Sequence, residues 1–381
     1  MLPEIIEAFK QKQGFSLLVK GDAGTGKSTI GLEILISGEN PIYISTRVSP
    51  QSLYSQFPWV EGKIPESSIL DATNVLFPPS QNLVSEMQRM ISFQGLPKFI
   101  EAIYHRVQDK QNVAVVIDSW DAVIKNDPEQ REGDKIITSL TELIRRISVN
   151  LILITETSEL TFLDYLVDGT VLLEDLDFAG RRLRLMTLKK MRGVLIRQKR
   201  YIYTLDNGRI RIFNPETNII KGKPGTFKKF DVKDAGLVSS GNKDLDTLVK
   251  IPKGAVVNFE IKNYKGLQSL VLPSIMMVQN GIATLKELFP SDLNMLNHDS
   301  VLKPFFEKGI VSLKSGDITI NLYHSGIITG ESAFASPDIH LVIDSSEGIL
   351  LFYGETPYTK LYGVELSVAG GEPSYKLVPV V

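Results

Sequence analysis

The sequence predicts an α/β protein with a mixed, mainly parallel sheet, followed by a second, smaller α/β unit. Three features of the 381 residues favour this fold class. Strand-like and helix-like segments alternate through the first half, which is typical of a parallel sheet covered by helices. A glycine-rich turn joins the first of these strands to a helix. From residue 169 onward short alternating segments replace the helices, as in antiparallel strands.

The elements of the first half follow from apolar runs and from helical spacing. A short amphipathic helix is predicted at the start of the chain. Four apolar runs predict buried strands: residues 15–20, 41–45, 112–118 and 150–155. Four segments predict the main helices: one beginning at Lys27, then 82–93, 97–110 and 129–148. Four later segments predict antiparallel strands at one edge of the sheet: TVLLEDL, RRLRLMTLKK, RQKRYIYTL and RIRIFN.

Composition excludes several classes of function. Lys and Arg number 42 against 44 Asp and Glu, so no overall field draws the chain to nucleic acid or anionic lipid. The absence of cysteine excludes disulfides, thiolate catalysis and cysteine-ligated metal sites. The four histidines are scattered without metal-ligand spacing. No signal peptide and no apolar run of about 18 residues is found, so a cytoplasmic protein without a membrane partner is expected.

The domain organisation is predicted from changes in composition and in the pattern of apolar residues along the chain. Residues 1–213 are expected to form the first domain. Residues 214–235 are rich in Pro, Gly and Lys and are expected to form a linker. Residues 236–381 are expected to form the second domain.

A phosphate-binding pattern, G-x-x-x-x-G-K-[ST], lies between the first predicted strand and its helix. The glycines let backbone N–H groups curl around a phosphate, and the helix N-terminus adds its positive end. Lys27 is expected to reach the β- and γ-phosphates, and the Ser28 hydroxyl to bind Mg²⁺. The predicted nucleotide contacts of this loop are Gly21, Asp22, Ala23, Gly24, Thr25, Gly26, Lys27, Ser28 and Thr29.

The metal-side carboxylate of such a site should end a buried strand of the same sheet. The run VAVVIDS places Asp118 at that position. An Asp that caps the following turn is the alternative, but the upstream loop favours a metal ligand. Ser28 and Asp118 are therefore the predicted Mg²⁺ ligands, with ATP as the predicted nucleotide; a preference for ATP over GTP is not decided by the sequence.

At these residues the chain resembles the KaiC-like branch of the RecA superfamily of P-loop ATPases. That branch also contains archaeal gas-vesicle regulatory ATPases, which the opening helix and STRVSP resemble most, and recombinase paralogues. The resemblance implies a RecA-like fold, ATP with Mg²⁺, and an archaeal regulatory ATPase. It covers most of residues 15–213, in GDAGTGKST, IYISTRVSP, SSILDAT, VVIDS, ILITET and LKKMRGVLIRQKRYIYTLDNGRIRIF.

The chain departs from the family where a Glu-Glu pair normally orients the attacking water. Arg47 and Val48 occupy these positions, and an arginine stays protonated, so it cannot act as a general base. The sequence leaves three alternatives for the Arg47 side chain: contact with a γ-phosphate, contact with a ribose, or exposure to solvent. Asp121 and Glu156 are substitute candidates for positioning water, or else solvated loop acids. Weak ATP hydrolysis is expected, and whether it is significant stays open.

The family also places a Lys and an Arg in the neighbouring protomer's nucleotide site, and Lys190 and Arg192 match them. The resemblance thus implies a homo-oligomer in which these residues act in trans. Residues 181–200 hold nine Lys or Arg and no acid, so a solvated strand face and a nucleic-acid patch are alternatives.

The second unit resembles the segment that leads into such a loop, but its phosphate-binding residues are lost. After LVSSGNKDLDTLVKIPKGAVVNFEI the chain reads IKNYKGLQS, in which Gly266 survives. The other aligned positions carry bulky or uncharged side chains: Ile261, Tyr264, Leu267 and Gln268. A degenerate RecA-like domain is predicted, acting as a cap on the nucleotide face or as a partner surface. IHLVIDSSEGILLFY predicts a hairpin, and Asp344 within it is not expected to bind metal.

These observations favour an ATP-dependent switch acting on a protein partner, such as a transcription regulator, or on its own assembly. The alternative is a DNA recombination or repair accessory ATPase of the recombinase-paralogue type that uses residues 181–200 on DNA. An autophosphorylating clock-type kinase is favoured least, because its hallmark is two intact phosphate loops.

Overall fold

The computed structural model describes residues 2–11, 13–71, 103–107, 109–124, 131–215, 236–263, 267–288, 300–326, 336–369 and 372–381. The predicted helix at 82–93, half of that at 97–110 and most of the linker lie outside these residues. The chain divides into two compact units. The first comprises Met1–Leu176 and Arg184–Ile212, and the second comprises Asp177–Leu183 and Phe213–Val381. Within the described residues no helix is long and apolar enough to cross a membrane.

The first unit is built on a nine-stranded sheet in the order β3-β2-β4-β5-β1-β6-β7-β8-β9. Five strands, β3 to β1 in this order, run parallel to one another, which confirms the predicted mixed, mainly parallel α/β fold. The strands are β1 (Ser16–Gly21), β2 (Asn40–Ser45), β3 (Ile69–Asp71), β4 (Val113–Asp118), β5 (Asn150–Ile154), β6 (Gly169–Phe178), β7 (Arg181–Met191), β8 (Arg200–Thr204) and β9 (Arg211–Ile212).

Both faces of this sheet are buried, which explains its uniformly apolar strands. In β1, Leu17 and Val19 pack into one apolar cluster, while Leu18 packs into a second cluster. The helices of the unit are α1 (Pro3–Phe9), α2 (Lys27–Ile36), α3 (Pro50–Gln56), α4 (Trp120–Ile124), α5 (Arg131–Arg146) and α6 (Phe162–Leu166). Short 3₁₀ turns occur at Pro58–Val60, Glu66–Ser68 and Asp206–Gly208.

One pairing differs from the sequence prediction. β6 runs parallel to β1, from Leu17 opposite Gly169 to Gly21 opposite Leu173, so the antiparallel run does not begin at residue 169. β7 with β8 and β8 with β9 are antiparallel, as predicted. The alternation of apolar and polar residues shows that a strand has two unlike faces, and carries no information about its direction.

The second unit is built on a seven-stranded sheet in the order β13-β14-β12-β15-β16-β17-β18, and β10 pairs with β11 separately. The strands are β10 (Leu237–Val238), β11 (Ile251–Pro252), β12 (Val256–Ile261), β13 (Ile310–Ser315), β14 (Ile318–His324), β15 (Ile339–Ser346), β16 (Ile349–Thr356), β17 (Tyr362–Ala369) and β18 (Glu372–Pro379). Its helices are α7 (Lys243–Leu248), α8 (Val271–Gln279), α9 (Leu285–Leu288) and α10 (Lys303–Lys308), with a 3₁₀ turn at Leu267–Leu270.

The second sheet repeats part of the first. β12 lies between two parallel neighbours, β14 and β15, as β1 lies between β5 and β6. Beyond β14 the described chain has the antiparallel β13 where the first sheet continues with β4, β2 and β3. The predicted hairpin is confirmed, since β15 and β16 are antiparallel and turn at Glu347 and Gly348, with φ of 48° and 78°.

Arg181 is a buried cation within the second unit, at the tip between β6 and β7. Its guanidinium carbon lies 4.3 Å from the ring centre of Tyr353 and 4.1 Å from that of Tyr358. The same group donates hydrogen bonds to the carbonyl oxygens of Gly354, at 2.7 Å, and Thr359, at 2.8 Å. Stacking and hydrogen bonds together offset the cost of burying the charge.

Candidate functional site

The glycine-rich loop lies between the end of β1 and the start of α2, as predicted. A Cβ atom at Gly21 would lie 2.2 Å from the carbonyl oxygen of Leu173, because the loop backs directly onto β6. Gly26 has a left-handed φ of 91° as N-cap of α2, and the Leu205 side chain packs where its Cβ would lie. Glycine is required at both positions by close approach or by conformation.

A cleft of about 410 Å³ opens beside this loop at the carboxyl ends of the parallel strands. Nine of the predicted site residues line it: Ala23, Gly24, Gly26, Lys27, Ser28, Thr29, Arg47, Asp118 and Glu156. The remaining predicted residues lie outside the lining: Gly21, Asp22, Thr25, Lys190 and Arg192. Ligand binding by these side chains stays a prediction.

Lys27 folds back onto its own loop. Its Nζ donates hydrogen bonds to the carbonyl oxygens of Gly21, at 2.8 Å, and Asp22, at 2.7 Å. Burial lowers the pKa of Lys27, although the carboxylates of Glu156 and Asp118 oppose the shift. A buried cation with carbonyl partners is suited to exchange them for the stronger anionic acceptors of a phosphate.

Asp118 ends β4 as predicted, and its Oδ2 accepts two short hydrogen bonds. Ser28 Oγ donates at 2.5 Å and Tyr43 Oη at 2.6 Å. Burial and the neighbouring Asp118 raise the pKa of Tyr43 well above its ordinary value, so the phenol stays protonated and acts as a donor. A hydroxyl beside a carboxylate is an oxygen donor set that fits Mg²⁺. Sequence analysis missed Tyr43, because nothing in a buried strand shows which polar group its side chain will meet.

The loops after β2 and β4 are joined by hydrogen bonds. Thr46 donates from its backbone N, at 2.8 Å, and from Oγ1, at 3.0 Å, to the carbonyl oxygen of Asp118. Ser119 N donates in return to Thr46 Oγ1 at 2.8 Å. A displacement of one loop therefore requires a displacement of the other.

Arg47 forms an ion pair with Glu156 across the cleft, through Nη1 and Oε1. The hydrogen bond to Glu156 is the main reason that the pKa of Arg47 is raised. The backbone N of Glu156 donates to Asp121 Oδ2 at 2.7 Å. The two alternative acids thus have different surroundings: Asp121 orients the turn after β5, and Glu156 faces the cleft with Arg47 as its partner.

Lys190 and Arg192 lie against the last turn of α6. Lys190 Nζ donates to the carbonyl oxygens of Asp164, at 2.9 Å, and Val167, at 2.5 Å. Carbonyl groups at the C-terminal end of a helix have no N–H partner within the helix, and the lysine supplies one. Burial, followed by the charge of Arg192, lowers the pKa of Lys190. Arg192 pairs with Asp168 at 3.2 Å. Action of these two residues on a second copy of the chain stays a prediction.

Asp168 gathers several polar groups at the amino end of β6. Burial alone would raise its pKa, but hydrogen bonds from Ser16 Oγ, at 2.6 Å, and Ser16 N, at 3.1 Å, together with the charge of Arg145, hold it below the ordinary value. Arg145 Nη2 lies 2.7 Å from Asp168 Oδ1. The carboxylate therefore joins β1, α5 and β6.

The basic segment 181–200 does not form a uniform solvated strand face. Arg182 is exposed, whereas Arg181 and Arg184 are buried. Arg197 pairs with Glu7 at 3.1 Å. The interpretation of the Arg/Leu alternation as a half-exposed strand is therefore wrong for Arg184, whose side chain contacts the loop described below.

In the second unit, the segment that aligns with the phosphate-binding loop follows β12 and precedes α8. Ile261 ends β12 with its side chain fully buried in the apolar core, whereas the aligned Gly21 of the first unit has no room for a Cβ atom. Leu267 and Gln268 begin a 3₁₀ turn before α8 and supply no cation. Tyr264 and Gly266 lie outside the described residues. Asp344 lies on β15, beside β12, where it binds Asn263.

A family model described as "ATPase: KaiC" matches residues 7–217, more than half of the chain. The chain belongs to the KaiC-like ATPase family. The resemblance predicted from the sequence is thereby confirmed, and membership in this family implies ATP binding. This chain is 27% identical over 288 residues to Protein GvpD2 of Halobacterium salinarum, and the match covers 71% of this chain and 58% of that protein. It is 26% identical over 271 residues to the circadian clock oscillator protein KaiC of Thermostichus vulcanus, covering 65% and 49%.

The KaiC-like chain thus spans about half the length of the curated relatives it matches. Among solved structures, it is similar to a KaiC-like protein from Pyrococcus horikoshii, with a TM-score of 0.44 and 19% identity, covering 53% of this chain and 90% of that one.

Proposed function

We propose that the chain is an ATP-binding regulatory protein, in which ATP and Mg²⁺ act as a switch on a protein partner or on the chain's own assembly, with slow or no hydrolysis. The observation that carries the proposal is the ion pair between Arg47 and Glu156 at the cleft. By resemblance to gas-vesicle regulators, a transcription regulator is the kind of partner we expect.

The cleft suits a triphosphate with its metal. Lys27 and the N-terminus of α2 supply positive charge to the phosphates, and Ser28 Oγ with Asp118 would hold Mg²⁺. When bound there, Mg²⁺ would offset phosphate charge.

Slow hydrolysis follows from the partner of Glu156. A general base must accept a proton from the attacking water, and must reach it by a hydrogen bond. In this chain the Glu156 carboxylate that faces the cleft is held by a guanidinium, and Arg47 itself stays protonated. Each turnover would first require this pair to separate.

The ion pair of Arg47 with Glu156 also supports a switch, because Arg47 lies on a loop that is hydrogen-bonded to the Asp118 loop. Both side chains are partly exposed, 49% for Arg47 and 37% for Glu156, so the pair is worth about 1 kcal/mol or less. A γ-phosphate is a stronger acceptor for the guanidinium. Movement of Arg47 toward phosphate would displace the loop of Thr46, and with it the Asp118 loop, because the two loops share hydrogen bonds.

The alternative, a DNA-directed ATPase, gains less support. Of the basic residues at 181–200, Arg181 and Arg184 are buried, and Lys190 is engaged with carbonyl oxygens of α6. These cations are not presented to a phosphate backbone in this conformation. The net charge of −2 also supplies no long-range attraction.

The test of ATP binding is ligand-induced stabilisation of the purified chain. ATP with Mg²⁺ at about 100 times its dissociation constant should raise the unfolding free energy by about 2.7 kcal/mol. Lys27→Ala should abolish this gain, and Lys63→Ala, which removes an exposed lysine of the same unit, should retain it. A gain that persists in Lys27→Ala would contradict the proposed site.

The switch is tested by size-exclusion profiles with and without nucleotide, recorded beside ATP turnover. We expect an ATP-dependent change in assembly, or in binding to a co-purified protein, at low turnover. Rapid turnover without either change would favour an ATPase of another kind.

A further inference from the structure

Two side chains outside the phosphate-binding motif bind the backbone of the loop from behind. Arg184 Nη1 donates to the carbonyl oxygen of Gly24 at 3.0 Å. Tyr203 Oη donates to the carbonyl oxygen of Thr25 at 2.6 Å. These carbonyl groups belong to the central peptides of the loop that would surround a phosphate.

The two residues reach the loop together because of strand register. Arg184 on β7 lies directly opposite Tyr203 on β8 in the antiparallel pair, so the two side chains stand as neighbours on one face of the sheet. Leu205, two residues beyond Tyr203, packs against Gly26. β7 and β8 therefore form the wall behind the loop.

Both donors are buried and held in place. Arg184 is 4% exposed and its Nη1 lies 3.4 Å from Asp175 Oδ1 on β6, which orients the guanidinium. Tyr203 is fully buried. Buried groups with such partners do not change conformation freely, so the peptides that they hold are fixed as well.

The direction of these bonds matters for phosphate binding. A peptide's carbonyl and N–H groups point in opposite directions, so the Thr25 carbonyl held by Tyr203 turns the adjoining Gly26 N–H away from β8. The Thr25 N–H, which adjoins the Gly24 carbonyl, donates to the carbonyl oxygen of Asp22 at 3.4 Å, and a phosphate would replace that partner. Lys27 holds the carbonyls of Gly21 and Asp22, and would release them on moving to a phosphate. Arg184 and Tyr203 would not need to move.

We propose that Arg184 and Tyr203 are positioning residues for nucleotide binding, which hold the Gly24 and Thr25 carbonyl groups in place so that the loop is preformed for the phosphates. This inference rests on the function proposed above. It assigns a role to one residue of β7 and one of β8, neither of which belongs to the phosphate-binding motif.

The test compares two identical substitutions on one strand, Tyr203→Phe and Tyr201→Phe. Tyr201 is also buried, and its Oη donates to Glu4 Oε1 at 2.9 Å, so it matches Tyr203 except for the loop contact. Tyr203→Phe should weaken Mg-ATP binding about tenfold, the effect of one lost buried hydrogen bond. Tyr201→Phe should leave the dissociation constant within about twofold of wild type. Arg184→Met should weaken binding further, and Arg184→Lys should restore part of the loss.

Hydrogen exchange of the loop amides in the nucleotide-free protein supplies a readout that does not depend on ATP. Exchange at residues 21–28 should rise in Tyr203→Phe and stay at the wild-type rate in Tyr201→Phe. Equal losses of ATP affinity in the two tyrosine variants, or faster loop exchange without weaker binding, would overturn the positioning role alone. A wild-type chain that protects its loop but binds no ATP would instead overturn the proposed function.

Discussion

Removal of Arg47 is expected to accelerate ATP hydrolysis. Arg47→Met keeps an unbranched side-chain stem and deletes the charge that holds Glu156. Because both side chains of the pair are partly exposed, 49% and 37%, separating them costs about 1 kcal/mol or less. If this cost is part of the barrier to hydrolysis, its removal should raise turnover by up to about fivefold.

The assay is steady-state phosphate release at saturating Mg-ATP, with kcat and KM determined separately. Glu156→Gln should lower kcat, and the double variant should behave like Glu156→Gln. Arg197→Met is the matched control, because Arg197 and Glu7 form an exposed ion pair elsewhere in the same unit. A kcat that does not rise in Arg47→Met, whatever the change in KM, would refute the reasoning.

Three further predictions concern stability and partners. Asp168→Asn should lower the unfolding free energy by about 2 kcal/mol at pH 7. The folded-state pKa of Asp168 lies below its ordinary value, so the wild type should keep this stability at neutral pH and lose it as the pH falls below about 4. Urea unfolding at a series of pH values measures this, and a variant as stable as wild type would contradict it. Arg181→Lys should destabilise the second unit by about 2 kcal/mol in the same assay, since lysine cannot stack between two tyrosines and keep both carbonyl partners; an unchanged midpoint would show that the stack is dispensable. Duplex DNA should not bind measurably at physiological salt, and tight binding that falls steeply with salt would favour the recombination alternative.

Local patterns in the sequence were sufficient to predict the glycine-rich loop, the position of Asp118 at the end of a strand, and the loss of the second loop. A phosphate-binding turn needs glycines, a lysine and a hydroxyl at fixed spacing, and Asp118 is found from the end of an apolar strand. These features depend on residues that are close together along the chain. The same holds for the β15–β16 hairpin, whose turn residues lie between two apolar runs.

The remaining features depend on which strands pair and in which register. Three of these features join segments that are distant along the chain: the parallel pairing of β6 with β1, the hydrogen bond from Tyr43 to Asp118, and the ion pair of Arg47 with Glu156. Arg184 and Tyr203 bind loop residues that precede them by 160 and 178 positions. The sequence by itself therefore predicted a phosphate-binding loop in the first unit and its loss from the second. Only the tertiary structure decided which side chains hold that loop and which acid faces the cleft, because apolar periodicity specifies that a strand is buried and leaves its neighbours open.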